Sequence, residues 1–431
     1  MRRRDLLGAI GVAVGASVLS GRARGSQPRK LITVALYGGW DTTFALDPKL
    51  GVAGIDSPDL DENPEDPDDR EAPATVGGIP LLVNPVKRPE VTRFFESWGP
   101  RAIVVNGISV AAISHQASVR RVLTGSGTGR LPDVGALLGA QISAGSPLGY
   151  VDLANQSRLA ADALPGEPSF AASAGRMGAR DQIRTLIEPG HDPVAPPGYA
   201  PYPRWVPDDA TRASLHAYLA GARSRLGSSR AGEPRLATAM ADAAEAQWRA
   251  ERLRRDAGSL AAGIASGPDT TFEDNASTAV EGLAEGLWHA VLLDSGWGWD
   301  SHADVPVQHE LWNTTFAGLS TLMAALEAAG LLEETLVYVV SEMTRTPLRN
   351  SGNGKDHWPW ATALLLGGGL AGGRVIGATD DGALGLPIDL RTGERTEAGV
   401  VPSYGNLIAG LLAHLDLDPE EHLPGVVPLA L

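Results

Sequence analysis

Five short apolar runs recur along the chain: Lys30 to Leu36 (KLITVAL), Ala102 to Asn106 (AIVVN), His289 to Asp294 (HAVLLD), Leu336 to Val340 (LVYVV) and Ala361 to Leu366 (ATALLL). Each is too short for an ordinary helix, and most are rich in β-branched residues, as strands buried on both faces require. Between them the apolar spacing changes to three and four. Arg88 to Trp98, Val305 to Ala329 and Gly405 to His414 predict amphipathic helices, the second carrying Leu311, Phe316, Leu319, Leu322 and Met323 and ending at Gly330. Strands alternating with helices predict an α/β protein whose mostly parallel sheet is covered on both faces.

The middle of the chain breaks this rhythm. Residues 146 to 205 are rich in Pro, Gly and Ala, whereas 208 to 262 turn helical, with Ala, Leu, Arg and Glu dominant and Trp248 on one face. The span 146–285 is therefore expected to be a helical insertion in a single domain covering 26–431. Residues 52 to 80, dense in Asp, Glu, Pro and Gly, lack the ligand spacing of an EF-hand and are expected to be a solvated loop. Gly367-Gly368-Gly369-Leu370-Ala371-Gly372 matches a dinucleotide fingerprint in letters only. The following Arg374-Val375-Ile376-Gly377 reads as extended and not as a helix, so a turn is the better account.

Composition narrows the chemistry. A formal net charge of −15 argues against a nucleic-acid partner, which needs a basic surface. The absence of cysteine removes disulfides, thiolate metal sites and a thiol nucleophile together. At the N-terminus, Arg2-Arg3-Arg4-Asp5-Leu6-Leu7 precedes a Gly/Ala-rich apolar run to Leu19 and then Arg22 and Arg24. Residues 1–25 resemble a twin-arginine signal peptide, with an apolar run short of the ~20 residues of a membrane span. The expected partner during export is the twin-arginine translocase, the expected location periplasmic or extracellular, and the mature chain is expected to carry no transmembrane segment.

Four Asp/His groups concentrate the candidate chemistry: Gly38-Gly39-Trp40-Asp41, Ser114-His115, Trp299-Asp300-Ser301-His302 and Lys355-Asp356-His357. Three of them follow strand-like runs, and strand C-terminal ends are where an open α/β sheet gathers distant residues. Mixed carboxylate and imidazole suit one or two divalent ions, with Zn, Mn or Fe preferred because imidazole disfavours Ca. Asp300 and His302, one residue apart, point the same way if their segment is extended. Beyond the fourth strand-like run, Glu342 and Arg345 offer either an internal ion pair or a planar fork for an oxyanion.

Taken in order, GGWD, a Ser-His pair before a helix ending in Thr-Gly, GWDSH, SEMTRTP and KDHWP resemble the exported bacterial family called domain of unknown function 1501. The resemblance covers both ends of the chain. It implies kinship with the alkaline phosphatase and sulfatase superfamily, an α/β/α sandwich and a two-metal site. Under it, Asp41, Asp356 and His357 fall on one metal, and Asp300 and His302 on the other. The sulfatase spacing counted back from Thr124-Gly125 lands on His115, with Ser114 beside it, where that superfamily carries its nucleophile. The expectation is a metal-dependent hydrolase of phosphate or sulfate esters, with Ser114, His115 and Arg345 as catalytic candidates. Its alternative is a non-catalytic metal-binding or partner-binding protein on the same fold.

Overall fold

The computed structural model describes residues 30–128, 131–141, 146–154, 177–179, 208–229, 234–257, 260, 271–296 and 298–431. The expected signal peptide, much of the Pro/Gly-rich stretch and Trp297 lie outside them. In chain order the strands are β1 (Lys30–Ala35), β2 (Ala72–Val76), β3 (Ile79–Val83), β4 (Ala102–Ser109), β5 (Tyr150–Asp152) and β6 (Met177–Ala179). They continue with β7 (Ala290–Asp294), β8 (Thr335–Val340), β9 (Thr344–Arg345), β10 (His357–Trp358), β11 (Trp360–Gly367) and β12 (Arg374–Ile376). The helices are α1 (Pro89–Trp98), α2 (His115–Thr124), α3 (Val134–Gln141), α4 (Asp209–Ser229), α5 (Pro234–Asp256), α6 (Phe272–Ala284), α7 (Gln308–Ala328), α8 (Tyr404–His414) and α9 (Pro419–His422).

Among the described residues, eight strands form one sheet in the order β12, β4, β11, β8, β1, β7, β5, β6. β1 runs parallel to β7 and β8, and β5 to β6 and β7, while β11 alone opposes its neighbours β4 and β8. Reversal of β11 matters for function. The C-terminal ends of β1, β4, β7 and β8 and the N-terminal end of β11 all open on one edge. The residues just before β11 therefore meet those just after the other four.

Alternation along the strands separates two cores. Ile32 and Val34 face α1, α6 and α7, whose Phe94, Phe95, Leu283, Trp312, Phe316 and Leu319 are fully or almost fully buried. Leu31 and Ala35 face the opposite layer, where Val122, Leu137, Leu407 and Leu411 come from α2, α3 and α8. The architecture is thus an α/β/α sandwich with a mostly parallel sheet. Phe316 lies 5.0 Å from Phe94 in an edge-to-face pair; burying one such side chain contributes roughly 1.5–3 kcal/mol. Helix starts follow local chemistry. Ser403 and Asn406 close a capping box ahead of α8, and Thr271 and Asp274 do so for α6.

Within 146–285 the chain does more than decorate the fold. β5 and β6 extend the sheet edge, α6 packs on α7, and α4 pairs with α5. The acidic stretch expected as a solvated loop ends in a hairpin, β2–β3, turned by Gly77 and Gly78 at φ 57° and 87°. Both positive angles are what a two-residue hairpin turn demands, and the Gly-Gly pair was its signature. Among the described residues no helix is long and apolar enough to cross a membrane.

Candidate metal centre

Two motif loops are anchored from below by their tryptophans, packed on Trp312 of α7. Trp40 of the first motif stacks on Trp312 at 4.8 Å, and Trp299 meets both edge-on. All three rings are fully buried. Seating the rings in the core fixes where the adjoining Asp41 and Asp300 begin. Gly38, at φ 116°, lies so close to the backbone of Asp300 that any Cβ would collide with it. Gly354 stands in the same relation to the carbonyl of His302.

From this platform four side chains converge. His302 Nε2 lies 2.9 Å from His357 Nε2 and 3.2 Å from Asp300 Oδ1. His357 Nε2 is 3.5 Å from Asp300 Oδ1, and His115 Nε2 is 3.6 Å from Asp300 Oδ2. Ligand atoms around a tetrahedral ion with ~2.0–2.1 Å bonds stand about 3.3 Å apart; here the ligand atoms of His115, Asp300 and His357 all lie within 4.8 Å of one another, with His302 beside His357 and Asp300. His357 reaches the group because it pairs with Arg345 in the β9–β10 ladder. Asp300 and His302 share a side through two successive tight turns, Ser301 N–H to Trp299 O and His302 N–H to Asp300 O, and not through an extended segment.

Each imidazole is held at its far nitrogen. His115 Nδ1 donates to Glu342 Oε1 at 2.6 Å, His302 Nδ1 to Asp356 Oδ1 at 2.8 Å and His357 Nδ1 to the carbonyl of Ile113 at 2.7 Å. A carboxylate or carbonyl can only accept, so each acceptor assigns the proton to Nδ1 and leaves Nε2 with its lone pair. Two such lone pairs 2.9 Å apart repel unless a proton or cation lies between them. The donor set, three imidazoles and one carboxylate with oriented outer partners, fits a borderline divalent ion. The hydrogen bond to Glu342 holds His115 above the ordinary imidazole range, against the opposing effect of burial. Burial pushes Asp300 up, but the hydrogen bond and charge of Arg345 prevail and hold it below the usual carboxylate range.

The structure divides the sequence candidates differently from the two-metal scheme. Asp41 is fully buried, its Oδ1 accepting from the backbone and hydroxyl of Thr43 and its Oδ2 from Lys355 Nζ at 2.7 Å. Lys355 is equally buried, so Asp41 belongs to a closed ion pair apart from the imidazoles. Asp356 stands behind His302, 58% exposed, and is steadied by Asn350 at 3.4 Å. The side chain of Arg345 donates to Gly38 O, Gly39 O, Lys355 O and Asp300 Oδ1. Four of its five N–H bonds hold protein atoms, so Arg345 fixes Asp300 rather than receiving an oxyanion. Ser114 is exposed at the start of α2 and makes no side-chain cap. Sequence reasoning left Glu342 as a generic ion-pair candidate and missed Lys355 and the Ile113 carbonyl. A glutamate two residues beyond a fully buried strand was the available signal for the first.

The family described as "Protein of unknown function (DUF1501)" matches residues 29–425. The chain belongs to this family. The match spans the motifs that line the centre, from GGWD to KDHWP. No curated protein matches the chain. Among solved structures it is similar to a protein in the alkaline phosphatase superfamily from Vibrio parahaemolyticus, with 10% identity, 94% of this chain and 70% of that chain covered, and a TM-score of 0.42. The lipoteichoic acid synthase LtaP from Listeria monocytogenes gives 9% identity, 94% and 75% coverage and a TM-score of 0.39. Phosphonate monoester hydrolase of Agrobacterium radiobacter gives 9% identity, 93% and 78% coverage and a TM-score of 0.36.

Proposed function

We propose that this chain is an exported, metal-dependent hydrolase of phosphate or sulfate esters, with one divalent ion of the Zn, Mn or Fe class at His115, Asp300, His302 and His357. The observation that carries this reading is the convergence of three Nε2 lone pairs on a carboxylate that is 36% exposed, so the cluster faces solvent. An ion held there would polarise an ester oxygen and acidify a water, the chemistry such hydrolysis needs. The protein residues supply orientation. Glu342, Asp356 and the Ile113 carbonyl aim the imidazoles, and Arg345 holds Asp300. His115 is the first residue of α2, whose N-terminus opens beside the cluster and favours an anionic group there.

Water is the preferred nucleophile, because the described hydrogen bonds tie His115 to Glu342 and give the Ser114 hydroxyl no base. The test is to assay zinc-, manganese- and iron-loaded protein on an aryl phosphate, a phosphodiester and an aryl sulfate. Hydrolysis of at least one, lost on chelation and in His357→Ala but kept in Ser114→Ala, is the expected result. Loss in Ser114→Ala alone would favour a covalent serine route. Inactivity on all three classes would leave the non-catalytic metal-binding reading. The export reading rests on Arg3-Arg4, the weakly apolar run after them and the basic residues just beyond it: replacing Arg3 and Arg4 with Lys should stop a tagged chain from leaving the cytoplasm.

A further inference from the structure

Glu342 touches more of the centre than any carboxylate outside it. Its Oε1 accepts from His115 Nδ1 at 2.6 Å and from the backbone N–H of Gly38 at 3.0 Å, and its Oε2 lies 3.2 Å from Ser341 Oγ. Its carboxylate is 2% exposed, placed at the end of β8 by a strand that is buried throughout. The other two imidazoles have weaker outer partners: a solvent-exposed aspartate for His302 and an uncharged carbonyl for His357. A buried, braced carboxylate orients an imidazole more firmly than either and raises its basicity as a ligand. The brace has a second arm. Gly38, whose N–H Glu342 holds, offers its carbonyl to Arg345, and Arg345 holds Asp300 Oδ1 at 2.6 Å.

We infer that Glu342 is the positioning residue of the centre: it fixes His115 in the Nδ1–H form with Nε2 presented to the ion, and it ties that imidazole to the loop that sets Asp300. The inference rests on the metal reading above, but its first consequence is visible without metal. In the metal-free full-length protein, nitrogen NMR at a pH where the ring is neutral should show His115 protonated at Nδ1. Glu342→Ala should shift it towards the Nε2–H form. Glu342→Gln keeps an acceptor for both His115 and Gly38 while removing the charge. Zinc affinity, measured by chelator competition, should weaken by about 10-fold in Glu342→Gln and towards about 100-fold in Glu342→Ala, the span seen for outer partners of ligating histidines. In a His115→Ala background, Glu342→Gln should change zinc affinity little. If Glu342→Ala does not fold, the glutamine variant carries the affinity test. An unchanged His115 tautomer in Glu342→Ala, or unchanged zinc affinity in Glu342→Gln, would overturn the inference. Wild type that binds no zinc yet shows the tautomer shift would defeat the metal reading and leave Glu342 as the residue that orients His115.

Discussion

Two of the histidine–carboxylate groups among the described residues differ in how their ring nitrogens are engaged. His309 is buried, with Nδ1 hydrogen-bonded to Arg88 and Nε2 at 3.3 Å from Asp61 Oδ2. Arg88 in turn forks onto Glu71, and Arg349 holds both oxygens of Asp61 at 2.9 and 2.8 Å. Burial lowers the pKa of His309 and the charge of Arg88 adds to the effect, against the hydrogen bond to Asp61, and both ring nitrogens are engaged. At the candidate centre each ring has Nδ1 held by an acceptor and Nε2 turned towards Asp300. An Asp beside a His is therefore not by itself a ligand pair. What separates a closed structural knot from a candidate site is a set of ring nitrogens gathered on a half-exposed carboxylate, and the Asp41–Lys355 pair falls on the closed side with His309.

The largest effect should come from opening a closed group. Glu71→Ala would leave Arg88 buried without its carboxylate, and removing one partner of a buried pair costs about 3–5 kcal/mol. Urea unfolding should show that loss while zinc stoichiometry stays that of wild type. Asp41→Ala should behave likewise, since it strands Lys355; loss of zinc with stability intact would return Asp41 to the metal. A smaller effect separates the groups by pH. Burial pushes Asp61 up, but hydrogen bonds from His309 and Arg349 outweigh it and hold its pKa below the ordinary value. A depressed carboxylate stabilises the fold above its unfolded pKa of ~3.9 and loses that contribution as pH falls further. Asp61→Asn should thus show a shallower fall of stability below pH ~4 than wild type; parallel slopes would deny Asp61 that role. The smallest expected change is at the open group's exposed partner. Asp356→Asn should weaken zinc by about 10-fold, near the lower end for outer partners, with no change in urea midpoint.

Much of this was legible beforehand, for physical reasons that stop at definite places. The runs at 30, 102, 289, 336 and 361 are apolar on both faces, and their shortness and β-branched content make them strands of a covered sheet rather than buried helix. Their direction is not encoded in apolarity, so the reversal of β11, which brings His357 to the strand ends, had no sequence signal. His302, His357 and Asp300 could be picked as candidates from their turns. Their grouping could not, because it depends on the β9–β10 ladder and on Gly38 and Gly354 letting loops touch. Asp41 looked identical to Asp300 in sequence, each following a tryptophan. Only the arrival of Lys355 Nζ from a residue 314 positions away distinguishes them. Arg345 presented the same ambiguity, and three backbone carbonyls resolve it.

The central claim is that His115, Asp300, His302 and His357 bind one divalent ion together. Zinc content of the full-length protein after loading and exhaustive dialysis, measured beside His357→Ala and His309→Ala, tests it most directly. The account predicts one ion per chain in wild type and in His309→Ala, and none retained in His357→Ala. Equal zinc in all three proteins, or none in wild type, would contradict it.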